Sequence, residues 1–182
     1  CNSGTSALFL AFKSINLKKN DVVIMPCITF ISSYSIAKMF GAKVYLADVD
    51  PNNGQMSPID VMNCCKKFKI KKLKLVVPMY HGGYPVDASS FKKLKKMFGC
   101  YIIEDACHAF GSSYKSNNKI FKIGSCKHAD ISTFSFHPLK SITTCEGGAV
   151  TTNSKKIYEK LQIYRSIGIE RSKQHWKYDV SE

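Results

Sequence analysis

Short apolar runs recur along this chain at strand length, and they limit its fold more than any other feature. They are DVVIMP (21–26), KVYLADVD (43–50), LKLVVPMY (73–80), YIIEDAC (101–107), DISTFSFH (130–137) and GAVTTN (148–153). Several are continuous and rich in Val and Ile, the composition of strands covered on both faces. Helical patterns lie between them. Ala7, Leu8, Ala11, Phe12 and Ile15 follow helix spacing, as do Ile59, Val61 and Met62 after Ser57 and Pro58, with proline at the first helical position. Further helices are expected near 31–40, 87–98 and 154–166. Strand–helix alternation specifies an α/β domain with a mostly parallel central sheet and helices on both faces. No internal repeat, low-complexity stretch or linker breaks the pattern, and 182 residues suit one domain with a real core. The segment 111–129, with Gly111, Asn117, Asn118 and Gly124, reads as a long loop at an active-site margin.

In sheets of this kind ligands bind outside the carboxyl ends of the strands. That rule selects a short set of residues. Asp105 closes YIIED, His137 and Lys140 follow STFSF, and Phe30 follows VVIMP. Ser3, Gly4, Thr5 and Ser6 open the first helix, where free N–H groups make a natural anion site. Each also has a purely structural reading: an N-cap for the serines, a strand-end carboxylate bonded to a loop amide for Asp105, a satisfied histidine for His137 and His108.

Charge and cysteine content narrow the function classes. The net charge is +14, but only Arg165 and Arg171 are arginines, and the lysines are spread over stretches such as KKFKIKK (66–72) and FKKLKKMF (91–98). Phosphate and base recognition favours arginine forks, so nucleic acid is not the expected partner. A basic binding module remains the non-enzymatic alternative. No apolar run approaches the roughly 20 residues of a membrane span. The chain opens with CNSGTSAL, without a basic leader or an initiator Met, which suggests a fragment with residues upstream. Eight cysteines form no C-x-x-C pair, the vicinal Cys64 and Cys65 are poorly placed to bridge, and Cys126 and His128 lack metal-site spacing. Reduced buried thiols and a cytoplasmic location are therefore expected, with no metal.

Lys140 stands apart from the lysine runs. It follows an apolar strand and precedes the glycine pair Gly147–Gly148, which is expected to let the backbone turn tightly beside it. A lysine held near a cationic ring and away from water can present a neutral amine and react with a carbonyl. A carboxylate can hold a pyridine nitrogen protonated, a helix N-terminus can hold a phosphate, and an aromatic can cover a ring. Together these parts describe a pyridoxal phosphate site.

The motifs also resemble, in order and spacing, the DegT/DnrJ/EryC1/StrS family of sugar-nucleotide aminotransferases. The matching stretches are NSGTSAL, PCITFISSYSIAKMFGAKVYLADVDP, VVPMYHGGYPVD, IIEDACHAFGSSYKS, GSCKHADISTFSFHPLKSITTCEGGAVTTN and YRSIGI. The resemblance implies the large domain of a fold type I pyridoxal phosphate-dependent transferase, a three-layer α/β/α arrangement. It implies that Lys140 attaches the cofactor and then shuttles protons, and that Asp105 pairs with the pyridine nitrogen. His108 would sit near the phenolic oxygen and Phe30 would stack on the ring. Thr5, Ser6 and Ser135 would bind the phosphate. SFHPLKSITTCEGG looks most like enzymes that aminate C4 of a UDP-linked 4-keto sugar, the pseudaminic acid pathway type among them. The implied partners are a nucleotide-sugar substrate, glutamate as amino donor and a second subunit in a homodimer with shared active sites. Residues 1–182 would then be a cofactor-binding large domain lacking an N-terminal segment and a small C-terminal domain. Relatives with other roles include dehydratases, which carry histidine at the lysine position, so that Lys140 argues against them, and regulators that keep the cofactor fold.

Overall fold

A computed structural model describes residues 1–169. The residues beyond, which include the YDVSE end, lie outside the description. Six strands form the main sheet in the order β2-β1-β3-β4-β7-β8. They are β1 (Val22–Pro26), β2 (Lys43–Ala47), β3 (Leu75–Val76), β4 (Tyr101–Asp105), β7 (Ile131–Ser135) and β8 (Gly148–Thr151). β1, β2, β3, β4 and β7 run parallel, and β8 pairs antiparallel with β7. This is the α/β architecture expected from the alternation.

Strand alternation sorts the core into two layers. Val23, Met25, Leu75, Ile103 and Ile131 face α1 (Gly4–Ser14), α2 (Ile31–Met39) and α5 (Lys155–Arg165). Ile24, Val76 and Ile102 face α3 (Pro58–Lys67) and α4 (Lys92–Phe98). Local signals set the helix starts. Ser3 caps α1 through the Ser6 N–H, and Ser57 with Asp60 makes a full capping box ahead of Pro58. α4 stops at Gly99, whose φ of 63° gives the left-handed turn typical of a helix end.

The structure alters several expectations. α3 buries Val61, Cys64 and Cys65, while Ile59 points outward, because the helix turns its cysteine pair to the sheet. The helix expected over 87–98 begins as a 3-10 turn, Ala88–Phe91. β3 is short because Pro78 supplies no N–H, and the strand resumes only as a bridge from Met79 to Asp105. The segment 111–129 holds a β-hairpin, β5 (Ser113–Ser116) and β6 (Lys119–Lys122). Asn117 and Asn118, at φ 48° and 59°, supply the two positive-φ positions of a tight hairpin turn. The hairpin packs Tyr114 and Phe121 with Tyr80, Ala88 and Phe134.

Candidate active site

The parallel strands end on one side of the sheet, and their trailing loops enclose a cavity of about 440 Å³. Thr5, Phe30, Asp105, His108, Ser135 and Lys140 all line it. Ser6 does not. Its N–H and hydroxyl are engaged with the Ser3 side chain at 3.1 and 3.0 Å, so it serves the helix cap. Segment 111–129, expected at an active-site margin, contributes no residue to the lining of this cavity.

Asp105 sits at the last position of β4 and is 2% exposed. Its carboxylate accepts from the Ser33 hydroxyl at 3.1 Å and the Cys107 N–H at 3.2 Å. Ser33 is a support that the sequence reading missed. It lies on the buried stripe of α2 with Ile36 and Ala37, and a small polar residue on an apolar stripe was the available signal. Cys107, Met79, Glu146 and Leu139 also line the cavity and were missed. Burial pushes the Cys107 thiol up, with the Asp105 carboxylate adding to it, so this cysteine stays protonated. Burial lowers the His108 pKa, and the nearby Lys140 charge lowers it further, which favours the neutral ring at pH 7.

The floor of the cavity is the start of α1. The Ser3 cap engages Ser6, and the first helical bond runs from Ala7 to the Ser3 carbonyl at 3.0 Å. The Gly4 and Thr5 N–H groups therefore have no intrahelical acceptor, at the positive end of the helix dipole. The first turn carries no acidic residue to occupy that end. Glycine brings this turn onto the sheet. A Cβ on Gly4 would lie 2.7 Å from the Ser135 Cβ, and one on Gly148 would lie 2.2 Å from the Ser3 carbonyl oxygen. Neither Gly147 nor Gly148 has a positive φ. Their role is close approach, not the tight turn expected of them.

Lys140 follows β7 and is half-buried, less withdrawn from water than expected. Phe30 precedes α2, 63% exposed at the cavity wall. Lys95, in the run FKKLKKMF, is exposed and pairs with Asp130 at 2.5 Å. Among the described residues no group of His, Cys, Asp and Glu has a metal-binding arrangement. All eight cysteines are unbridged. No described helix is long and apolar enough to cross a membrane.

A buried carboxylate, a lysine and an open helix start in one cavity invite comparison with known proteins, and residues 1–181 match one family throughout. The chain belongs to the DegT/DnrJ/EryC1/StrS aminotransferase family. It is 37% identical over 187 residues to the UDP-4-amino-4,6-dideoxy-N-acetyl-beta-L-altrosamine transaminase of Campylobacter jejuni subsp. jejuni, covering 100% of this chain and 46% of that protein. It is 35% identical over 179 residues to the GDP-perosamine synthase of Escherichia coli O157:H7, covering 98% of this chain and 46% of that one. The fold agrees with that of Helicobacter pylori PseC, an aminotransferase involved in the biosynthesis of pseudoaminic acid. The TM-score is 0.78 at 30% identity, over 94% of this chain and 44% of PseC. The chain thus spans about half the length of the curated relatives it matches.

Proposed function

We propose that this member of the DegT/DnrJ/EryC1/StrS family is the cofactor-binding large domain of a pyridoxal phosphate-dependent aminotransferase. It acts on a nucleotide-linked 4-keto-6-deoxy sugar, UDP-linked in the reading we favour, and yields the 4-amino sugar. Glutamate is the proposed donor, and the product feeds cell-surface polysaccharide or glycan synthesis. The observation that carries the reading is the cavity that joins Asp105, Lys140 and the open start of α1. The UDP preference is supported by the Campylobacter transaminase, whose name carries a UDP-linked amino sugar. The GDP-perosamine synthase, at similar identity, makes GDP the competing nucleotide. A homodimer and a cytoplasmic location belong to the same proposal; the unbridged cysteines support the second.

The residues present suit the cofactor. Bound pyridoxal phosphate supplies an aldehyde that exchanges amines and a ring that spreads the electron pair left when a proton departs. The Lys140 amine is the nucleophile for that aldehyde, and its Nζ is the proton carrier. The Asp105 carboxylate keeps a proton on the ring nitrogen, while Ser33 and the Cys107 N–H fix the carboxylate's direction. The Gly4 and Thr5 N–H groups and the Thr5 and Ser135 hydroxyls hold the phosphate. Neutral His108 would offer an uncharged partner for a ring oxygen, and Phe30 would cover the ring face.

The test has two parts. Borohydride reduction in the presence of pyridoxal phosphate, followed by mass spectrometry, is expected to label Lys140 in the wild-type protein and no lysine in Lys140→Ala. Glutamate-dependent amination is then measured on UDP-, GDP- and TDP-linked 4-keto sugars, with the UDP substrate expected to turn over fastest. A label on another lysine, or none, sinks the cofactor assignment. Preference for GDP sinks the substrate assignment alone.

A further inference from the structure

The turn that carries Lys140 is held in an unusual way. His137 follows β7 by two residues and is exposed. The Lys140 N–H donates to the His137 carbonyl at 2.9 Å, closing a four-residue turn with Pro138 in second place, where its fixed φ suits the bend. The Leu139 N–H donates to Nδ1 of the His137 ring at 3.3 Å. That bond, from a side-chain acceptor to the amide two residues on, is the pattern asparagine and aspartate make in Asx turns. It requires Nδ1 to be unprotonated, so the neutral ring carries its proton on Nε2. At its other end, the His137 N–H reaches the Ser135 hydroxyl at 3.4 Å, which ties the turn to the end of β7.

Burial does little here. Leu139 is 87% exposed, so its side chain does not anchor the segment. Phe136 is held on both sides, its N–H donating to the Gly147 carbonyl at 2.9 Å and its carbonyl accepting from the Thr144 N–H at 3.0 Å, and beyond it the hydrogen bonds through His137 set the turn to Lys140. His137 also lines the cavity that Lys140 enters.

We propose that His137 is a positioning residue, whose ring Nδ1 holds the 137–140 turn in the shape that aims Lys140 at the cavity. The inference rests on the reading of Lys140 as the cofactor-attaching amine. Its own content is the acceptor at position 137. Asparagine offers an acceptor at the same reach, whereas alanine offers none.

The experiment compares wild type, His137→Ala and His137→Asn. On protein free of cofactor, solvent exchange of the Leu139 amide is followed by NMR. Exchange should quicken roughly 5- to 10-fold in His137→Ala, the scale of one lost hydrogen bond, and return to near wild type in His137→Asn. On addition of pyridoxal phosphate, the rate of borohydride-trappable attachment to Lys140 should fall about tenfold or more in His137→Ala and recover in His137→Asn. Melting temperature should fall by no more than about 2–4 °C in His137→Ala, the scale of one hydrogen bond at an exposed residue, and match wild type in His137→Asn. Unchanged Leu139 exchange in His137→Ala overturns the proposal. So does unchanged attachment despite faster exchange, or an equal loss of attachment in both variants. Absence of any Lys140 label in wild type would instead refute the cofactor reading, and the exchange comparison would still judge the turn.

Discussion

Replacing Gly148 with alanine tests whether the start of α1 is pinned to the sheet by close backbone contact. The added Cβ would lie 2.2 Å from the Ser3 carbonyl oxygen, 2.5 Å from the Ser3 carbonyl carbon and 2.9 Å from the Gly4 nitrogen. A carbon–oxygen contact relaxes at about 3.3 Å or more, so α1 and β8 must part by roughly 1 Å. The atoms in the way are backbone, and no rotamer change relieves them. The same movement strains the bonds by which Cys1 and Gly148 exchange both N–H groups, at 2.9 and 2.8 Å. Overpacking typically costs 1–3 kcal/mol, and a backbone clash belongs at the upper end, about 3 kcal/mol. For a domain of this size that lowers the melting temperature by roughly 6–12 °C. The shift also moves the Gly4 and Thr5 N–H groups, and a displacement of about 1 Å in a binding constellation can cost up to 10²-fold. The assays are thermal denaturation by circular dichroism and titration with pyridoxal phosphate. Gly99→Ala is the control. Gly99 has φ 63° with nothing within 4 Å of its would-be Cβ, and it is remote from the cavity lining. That variant should melt lower by the strain of a left-handed residue, about 1–2 kcal/mol, yet bind normally. A Gly148→Ala protein that melts and binds like wild type would refute the reasoning.

Two further outcomes follow from the site and its surroundings. Asp105→Asn should retain cofactor but slow turnover by roughly 10²-fold or more, measured under saturating substrate; Ser33→Ala, which removes one donor to the same carboxylate, should slow it less, and near-normal turnover in Asp105→Asn would remove that residue from the mechanism. Glu104, 3% exposed, accepts from Tyr80 at 2.7 Å and from Ser132, and burial raises its carboxyl above the ordinary 4.5 against the opposing pull of those donors. The folded state therefore binds this proton more tightly than the unfolded chain, so the contribution to stability is complete below 4.5 and is lost as pH rises through the native value; Glu104→Gln should flatten denaturant-measured stability across that window, and an unchanged pH profile would count against the burial argument.

Period and composition were enough to determine the layered sheet, because a strand covered on both faces must be apolar at every position and a helix on such a sheet must carry an apolar stripe. DVVIMP and the Ala7–Ile15 stripe carry that signal without help from the rest of the chain. Punctuation was also local: Ser57 with Pro58 starts a helix by chemistry that spans only a few residues. The cavity residues were legible for a related reason, since the parallel strands present their carboxyl ends on one side, where Asp105 closes β4 and Phe30 and Lys140 follow β1 and β7. Other features depended on partners distant in sequence. Ser33 looks like any helix serine until Asp105, 72 positions away, comes within 3.1 Å of it. The spare glycine at 148 looked like a turn residue, and only the arrival of the Ser3 carbonyl shows that its missing Cβ is a matter of space. Segment 111–129 looked like a loop because its strands, SYKS and KIFK, are short and mostly polar, and their pairing is set by an Asn-Asn turn and by packing on Tyr80 and Phe134. Sequence fixes what a segment can bury and how it begins and ends; which hydroxyl meets which carboxylate is decided only when strands far apart in the chain are laid side by side.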